Sequence, residues 1–450
     1  MDEPRPVDGV RPLARAFWWL GFLALIGAAV SAVLLWPARA PEGLWPWPAP
    51  GFFRAARVVH ANLAATMWPL ALAATMWTLL GSTRWLAMGW AGIAGMGAGA
   101  ALLAATPFLP GVAGVHAGYV PVADHGAFRL ATALVAGGFL LVALRALATV
   151  RPRPWLGDPL RLGAWLAALA GAMAMAAFGW SWLRIPVIEE RIYFDVLYWG
   201  GGHVLQFQHA LLAAVAWAWV GAAAGAHAAA TPRARSAMFV VAALPLLGVP
   251  VIYLGADAGT LVHMEAFARL MVWGHAYMLP LVVVALVAAW RLRGRWTEPA
   301  VAAMIVSLGL FGAGGAVGYA VGGGTAVLVA HAHAMGAAVS LAFMGLAFVL
   351  LPRLGYAAAC GGAAAAAPWL FGGGQVLLAT GLAWAGHHGL SRKADDVAQA
   401  LSGSAQAAGV GLAALGGALA LAGLALFFAA ALRAMEPTPA AAAPSSGPRS

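Results

Sequence analysis

A single cysteine, Cys360, stands in a chain of 450 residues. No disulfide framework can form within it. A CxxC zinc site, a CxxCH haem-attachment motif and a two-cysteine copper centre are all excluded. Charge is scarce as well: 9% of residues are charged against 63% hydrophobic, and the mean hydropathy is +0.85. A water-soluble domain needs more charge than this. The few charges sum to +10, yet the basic residues fall mostly in short loops. There they set membrane topology rather than form a nucleic-acid surface. Carboxylates are absent from the inner half of every apolar run described below, so no acidic proton relay enters from that side.

What the chain has in abundance is apolar sequence. Runs of about 20 apolar residues recur along almost its whole length, each able to span a bilayer. The 57 glycines suit close helix packing in lipid, and the 21 tryptophans suit interfacial belts or the lining of a buried cofactor. Hydropathy predicts an all-α polytopic membrane protein of about twelve spans, near 15–36, 57–80, 85–109, 126–149, 161–183, 194–224, 236–255, 263–290, 300–321, 325–351, 369–388 and 407–433. No linker marks a second domain. Residues 1–435 read as one transmembrane domain, and 436–450, rich in Pro, Ala and Ser, as a disordered tail. The run from Phe17 to Trp36 is followed by a cleavage-like Ala38 and Ala40, but it exceeds a signal-peptide core and reads as a retained helix. With the N-terminus inside, 16 of the 25 Lys and Arg residues fall on the inner side. This bias predicts both termini in the cytoplasm, in a membrane of the bacterial inner type.

The 12 histidines are unevenly placed on this topology. His60 opens span two at its outer end, and His203 and His209 lie in the outer part of span six. His263 starts span eight, with His275 about three turns deeper. His331 and His333 lie in the outer part of span ten, and His387 and His388 close span eleven. His116 and His125 flank the outer loop before span four, and only His227 is cytoplasmic. Any one intramembrane histidine serves equally well as a helix–helix hydrogen bond or as a ligand. Several at one depth on different helices point to metal or haem. In "HAH", His331 and His333 stand about 200° apart around their helix, so one helix can serve a centre on each flank.

These pieces resemble the catalytic subunit I of the haem-copper oxidase superfamily, which includes oxygen and nitric oxide reductases. The resemblance rests on "RVVHANLAATMW", "YWGGGHVLQF", "VLVAHAHAMG" and "GLSRKADD", and it covers nearly the whole chain. It implies that His60 and His333 are the axial ligands of a low-spin haem, and that His331 is the proximal ligand of a high-spin haem. It implies His203 as first ligand of a non-haem copper or iron facing that haem. Arg392 and Lys393 match the basic pair that neutralises haem propionates. Any haem is held without covalent thioether links, and the low-spin haem is expected to be of b-type.

Departures from that pattern are specific. The family takes two adjacent histidines for the non-haem metal, but this chain reads "VIYLGADAGTLVHMEAF" there. Asp257, His263 and Glu265 are the expected substitutes; a carboxylate among them shifts the preference towards iron. Nitric oxide reductases carry a glutamate where this chain has Phe207. Tyr253 is a candidate redox-active phenol, with an ordinary core tyrosine as its alternative. Glu189, Glu190, Asp195, Asp257 and Glu265 cluster outside, so any protons consumed are expected to enter from the outer face.

The leading expectation is a respiratory terminal reductase that passes electrons through a low-spin haem to a high-spin site and reduces oxygen. A nitric oxide reductase-like enzyme is one alternative, and a haem electron-transfer protein lacking the second metal is another. A transporter with glycine-broken helices would leave the HxH unexplained. The expected electron donor is a partner subunit, a soluble cytochrome c or a quinol. Lipid and a small diatomic substrate complete the expected partners.

Overall fold

The computed structural model describes residues 8–35, 50–115, 121–185, 190–227, 229–321, 324–392 and 401–436. His116, Glu189, Lys393 and the expected tail beyond residue 436 lie outside the described residues. Twelve of the described helices are long and apolar enough to cross a membrane. Spans one to four are Arg11–Leu34, Ala55–Leu80, Leu86–Phe108 and Gly126–Thr149. Spans five to eight are Pro159–Arg184, Ile192–Ala223, Pro232–Gly255 and Leu261–Arg291. Spans nine to twelve are Pro299–Tyr319, Ala326–Arg353, Gly362–His387 and Ser404–Met435. Each coincides with an expected apolar run. Helix ends reach further where small or charged residues dilute hydropathy. Span eleven begins at Gly362 and runs through a buried Pro368, a break that neighbouring helices tolerate in a membrane.

Short polar residues start several spans. The Asp158 side chain accepts from Arg161 N at 3.1 Å, and Thr231 Oγ1 accepts from Ala234 N at 3.2 Å. Thr260 Oγ1 accepts from His263 N at 3.3 Å. Each satisfies one of the amides that a helix start leaves unpaired. In three spans a proline is accompanied by an irregular turn. Pro69, Pro245 and Pro280 each remove a backbone donor and crowd the carbonyl four residues earlier. The helices answer with a π-turn at Leu63–Met67 and 3-10 turns at Leu244–Leu247 and His275–Met278. Two of these irregular turns adjoin His60 and include His275.

Between spans three and four lies a hairpin that hydropathy did not reveal. Strand β1 (Ala113–Val115) pairs antiparallel with β2 (Val122–Asp124), with Gly114 opposite Ala123. It packs on the N-terminal part of span two, where Asn62 Nδ2 donates to Pro121 O at 3.1 Å.

Burial separates the spans into two classes. Spans two, six and ten have 83%, 78% and 78% of their apolar windows buried, whereas no other span exceeds 56%. Those three form the centre, and the rest present a face to lipid. The central spans are also the ones that carry His60, His203, His331 and His333. Peripheral spans pair through glycine. A Cβ on Gly381 of span eleven would lie 2.5 Å from Ala413 N of span twelve, and one on Gly374 would lie 2.6 Å from Gly416 O. Spans three and four repeat this at Gly138, whose Cβ would lie 2.6 Å from Gly92 O. Without a hydrophobic force between helices in lipid, such close backbone approach supplies the packing.

Candidate functional site

Two central histidines hand Nδ1 to a neighbouring helix. His60 Nδ1 is 2.8 Å from Ala28 O of span one, and His331 Nδ1 is 2.8 Å from Gly314 O of span nine. A carbonyl only accepts, so Nδ1 carries the proton and Nε2 presents a lone pair. This is the tautomer of an axial metal or haem ligand whose outer nitrogen is oriented by the protein. Gly318 makes the His331 placement possible, because a Cβ there would lie 2.6 Å from His331 Cε1. His333 is half-buried on the same helix, about 200° around from His331.

His203 is 8% exposed, and its Nδ1 bonds to the Trp199 carbonyl one turn earlier in span six. This turns Nε2 away from its own helix. Its ring lies 4.8 Å from Trp199 and stacks on Phe267 of span eight at 6.0 Å. His263 and His275 both lie on span eight, whose helix and 3-10 turn pack against span six. The 3-10 turn at His275 places its ring flat on Phe207, with centroids 4.3 Å apart and planes at 15°. His275 was not among the residues expected to bind metal. Its Nδ1 meets the Met271 carbonyl one turn earlier at 3.1 Å, as His203 Nδ1 meets that of Trp199.

His263 is fully buried, and neither ring nitrogen has a partner. The Tyr253 and Phe267 rings lie 5.0 Å from it on two sides. Tyr253 Oη sits 2.9 Å from Ser181 Oγ and donates to Ala177 O at 3.2 Å. That hydroxyl also lies against Gly200, three residues before His203; a Cβ on Gly200 would collide with it. The structure therefore brings Tyr253 and His263 to the span six–span eight interface beside His203.

The expected carboxylates are not brought there. Asp257 is exposed in the turn between spans seven and eight, where its carbonyl accepts from Thr260 Oγ1 at 2.7 Å. Glu265 is two residues from His263 and so on the opposite side of the helix; it pairs with Arg269 at 3.2 Å, its side chain 52% exposed. Among the described residues, no three His, Cys, Asp or Glu side chains converge to hold a metal ion.

Arg392 is held at the N-terminal end of span ten. Its amide donates to Gly324 O at 2.9 Å, Ser391 bridges Thr325, and Ala326 N donates to Leu390 O at 2.9 Å. His331 follows five residues into that span, about 7.5 Å along its axis. Other histidines have ordinary roles. His125 Nδ1 caps span four by accepting from Ala127 N at 3.1 Å, the His227 carbonyl accepts from Arg291, and His387 and His388 are exposed.

No family model matches the sequence, and no curated protein matches it. Among solved structures, a chain from a cryo-EM structure of a heme-copper terminal oxidase dimer aligns with a TM-score of 0.71 and 15% sequence identity. The alignment covers 96% of this chain and 85% of that chain. An identity this low speaks for architecture alone, and the architecture agrees over nearly the full length. The chain is a multi-pass α-helical membrane protein with the haem-copper oxidase subunit I-like fold.

Proposed function

We propose that this chain is the haem-binding subunit of a membrane terminal reductase that reduces oxygen. The carrying observation is that the three most buried spans are those that bear His60, His203, His331 and His333. Two of these imidazoles, His60 and His331, have Nδ1 pinned by carbonyls of adjacent spans. The residues fit haem by this donor chemistry: His60 with His333 for a low-spin b-type haem, and His331 for a high-spin one. When bound, the haems supply electron transfer and an open iron position for a diatomic ligand.

The protein's part is positional. Ala28 and Gly314 orient the two ligand rings, and Gly318 leaves room for one of them. The span-ten N-terminus and Arg392 together offer positive charge for propionate carboxylates at the outer end, and Lys393 is proposed to join them. Tyr253, fixed by Ser181 and Ala177, offers a phenol at the span six–span eight interface. Protons are proposed to enter from the outer face, where Glu190, Asp195, Asp257 and Glu265 lie in sequence. Electrons are proposed to come from a partner subunit, soluble cytochrome c or quinol, with both termini in the cytoplasm.

Reduced-minus-oxidised spectra of the purified protein, with and without carbon monoxide, test this reading. His60→Ala or His333→Ala should each remove the six-coordinate signal. Unchanged low-spin spectra in both variants would overturn the assignment. A protein with haem but no oxygen consumption would support a second reading, an electron-transfer subunit. The exposure of Asp257 and Glu265 favours that alternative.

A further inference from the structure

We propose that the turn joining spans two and three binds the phosphate of an anionic phospholipid. The inference stands apart from the haem reading. The turn lies where span one begins and spans two and four end, about 30 Å of helix from His60 along span two. Three observations on this structure carry it.

The first is a buried charge. Arg145, one turn before the end of span four, is 2% exposed. Its Nη2 donates to Ser82 O at 2.7 Å, and its buried Nε meets no acceptor. Among the described residues no carboxylate pairs with it. An uncompensated charge inside a helix bundle in lipid is costly and calls for a counter-charge. The side chain runs along the first turn of span three, since a Cβ on Gly89 would lie 3.4 Å from Arg145 Cδ. Its guanidinium therefore lies beneath the start of that span.

The second is the start itself. Trp85 precedes span three in left-handed backbone, with φ at 60° and ψ at 32°, and provides no side-chain cap. Met88 N and Gly89 N both donate to Trp85 O, at 3.1 and 3.3 Å. The amides of Leu86 and Ala87 meet no acceptor among the described residues. Free first-turn amides and the positive end of the helix dipole suit a phosphate. Neighbouring spans hold the turn in place. A Cβ on Gly9 would lie 2.9 Å from Thr83 Cγ2, and one on Gly81 would lie 2.8 Å from Thr149 Oγ1. Arg84 is exposed at the rim, where its guanidinium can reach a phosphate oxygen from outside while Arg145 acts from below.

The third is the apolar surround, which selects a lipid as the source of the phosphate. Trp85 and Trp90 are exposed on the first turns of span three, and Leu144 is exposed beside Arg145 on span four. Tryptophan favours the headgroup level of a bilayer, and apolar side chains there lie against acyl chains. A free phosphate would gain nothing from them. With Arg84 and Arg145 both positive, an anionic headgroup is favoured over a zwitterionic one.

The test uses the full-length protein, delipidated in detergent and titrated with phosphatidylglycerol, phosphatidylcholine or inorganic phosphate. Bound lipid by native mass spectrometry and the thermal midpoint are read on the same sample. Wild type should hold a phosphatidylglycerol at least about tenfold more tightly than phosphatidylcholine. Its midpoint should rise with the first lipid only. Arg145→Gln should weaken phosphatidylglycerol about tenfold, and Arg145→Lys, which keeps the charge, should restore most of that loss. Arg84→Gln, at an exposed position, should weaken it about threefold. Trp85→Gly suits the left-handed backbone, so the lipid-free midpoint should hold while phosphatidylglycerol binding falls. Equal binding of the two lipids, or equal stabilisation by inorganic phosphate, would overturn the site. So would unchanged phosphatidylglycerol affinity in both Arg145→Gln and Arg84→Gln. If Arg145→Gln fails to fold, unchanged affinity in both Arg84→Gln and Trp85→Gly overturns the site, and loss in both supports it.

Discussion

Spans eleven and twelve pack as closely as any two helices in this molecule, and they do it by omission. At Gly374, Gly381, Gly409 and Gly416 there is no room for even a methyl group. Spans two, six and ten solve the same problem the other way. They are wrapped on nearly all sides and filled with large groups, such as Trp68, Trp77 and Trp217, each at most 1% exposed. Some of their polar side chains are tied to neighbouring spans: Trp77 Nε1 donates to Ala164 O at 2.9 Å, and Trp217 Nε1 donates to Ser307 Oγ at 2.9 Å, whereas Trp68 Nε1, Trp219 Nε1 and the Gln208 amide meet no hydrogen-bond partner among the described residues. The periphery thus relies on backbone contact, which tolerates no added atom. The centre relies on side chains that can be exchanged one at a time. A substitution at the periphery should therefore act on assembly, and one at the centre should act on a single function.

The largest effect expected is at the periphery. Gly381→Leu forces a side chain into the backbone of span twelve, where even its Cβ would lie 2.5 Å from Ala413 N. Overpacking of this kind costs about 1–3 kcal/mol or more. Detergent-solubilised yield should collapse, and both haem signals should fall together. Gly373→Leu is the control on the same span, since nothing lies within 4 Å of a Cβ there. Equal yields for the two variants would erase the distinction drawn above.

Next in size is the loss of one centre. His331→Ala should abolish carbon monoxide binding while most of the low-spin signal survives, because His331 faces span nine and His333 lies about 200° around the helix. Proportional loss of both signals would mean that span ten behaves like the glycine-packed pair.

Tyr253→Phe should be milder. It removes the hydroxyl that bonds Ser181 and Ala177, a loss of about 1 kcal/mol, seen as a small drop in thermal midpoint. If oxygen consumption falls more than tenfold while that midpoint barely moves, the phenol takes part in the reaction. If rate and midpoint fall in step, the tyrosine is structural.

Smallest of all should be Glu265→Gln. The Glu265–Arg269 pair is exposed and separated by one turn, and such pairs contribute about 0–1 kcal/mol. Metal content and haem spectra should match wild type. A metal loss would restore Glu265 to the donor set.

Much of this was legible in the sequence, and for a physical reason. A bilayer forces each crossing to be a helix of about 20 apolar residues, so hydropathy alone located twelve spans, though it started span eleven at 369 where the helix begins at Gly362. The placement of His60, His203, His331 and His333 within apolar spans was legible too, and those spans are the three that the structure buries most. What could not be read was anything that depends on which face meets which neighbour. His263 and Glu265 are two residues apart in sequence, but the helix turns one into the core and the other outward. His275, placed by sequence only as about three turns deeper than His263, meets Phe207 of span six through the turn before Pro280. Composition and periodicity determined a twelve-span membrane bundle with ligand-like histidines. Tertiary structure alone decided that spans two, six and ten are its centre. A one-dimensional pattern records how apolar a helix is, but burial depends on how many helices surround it.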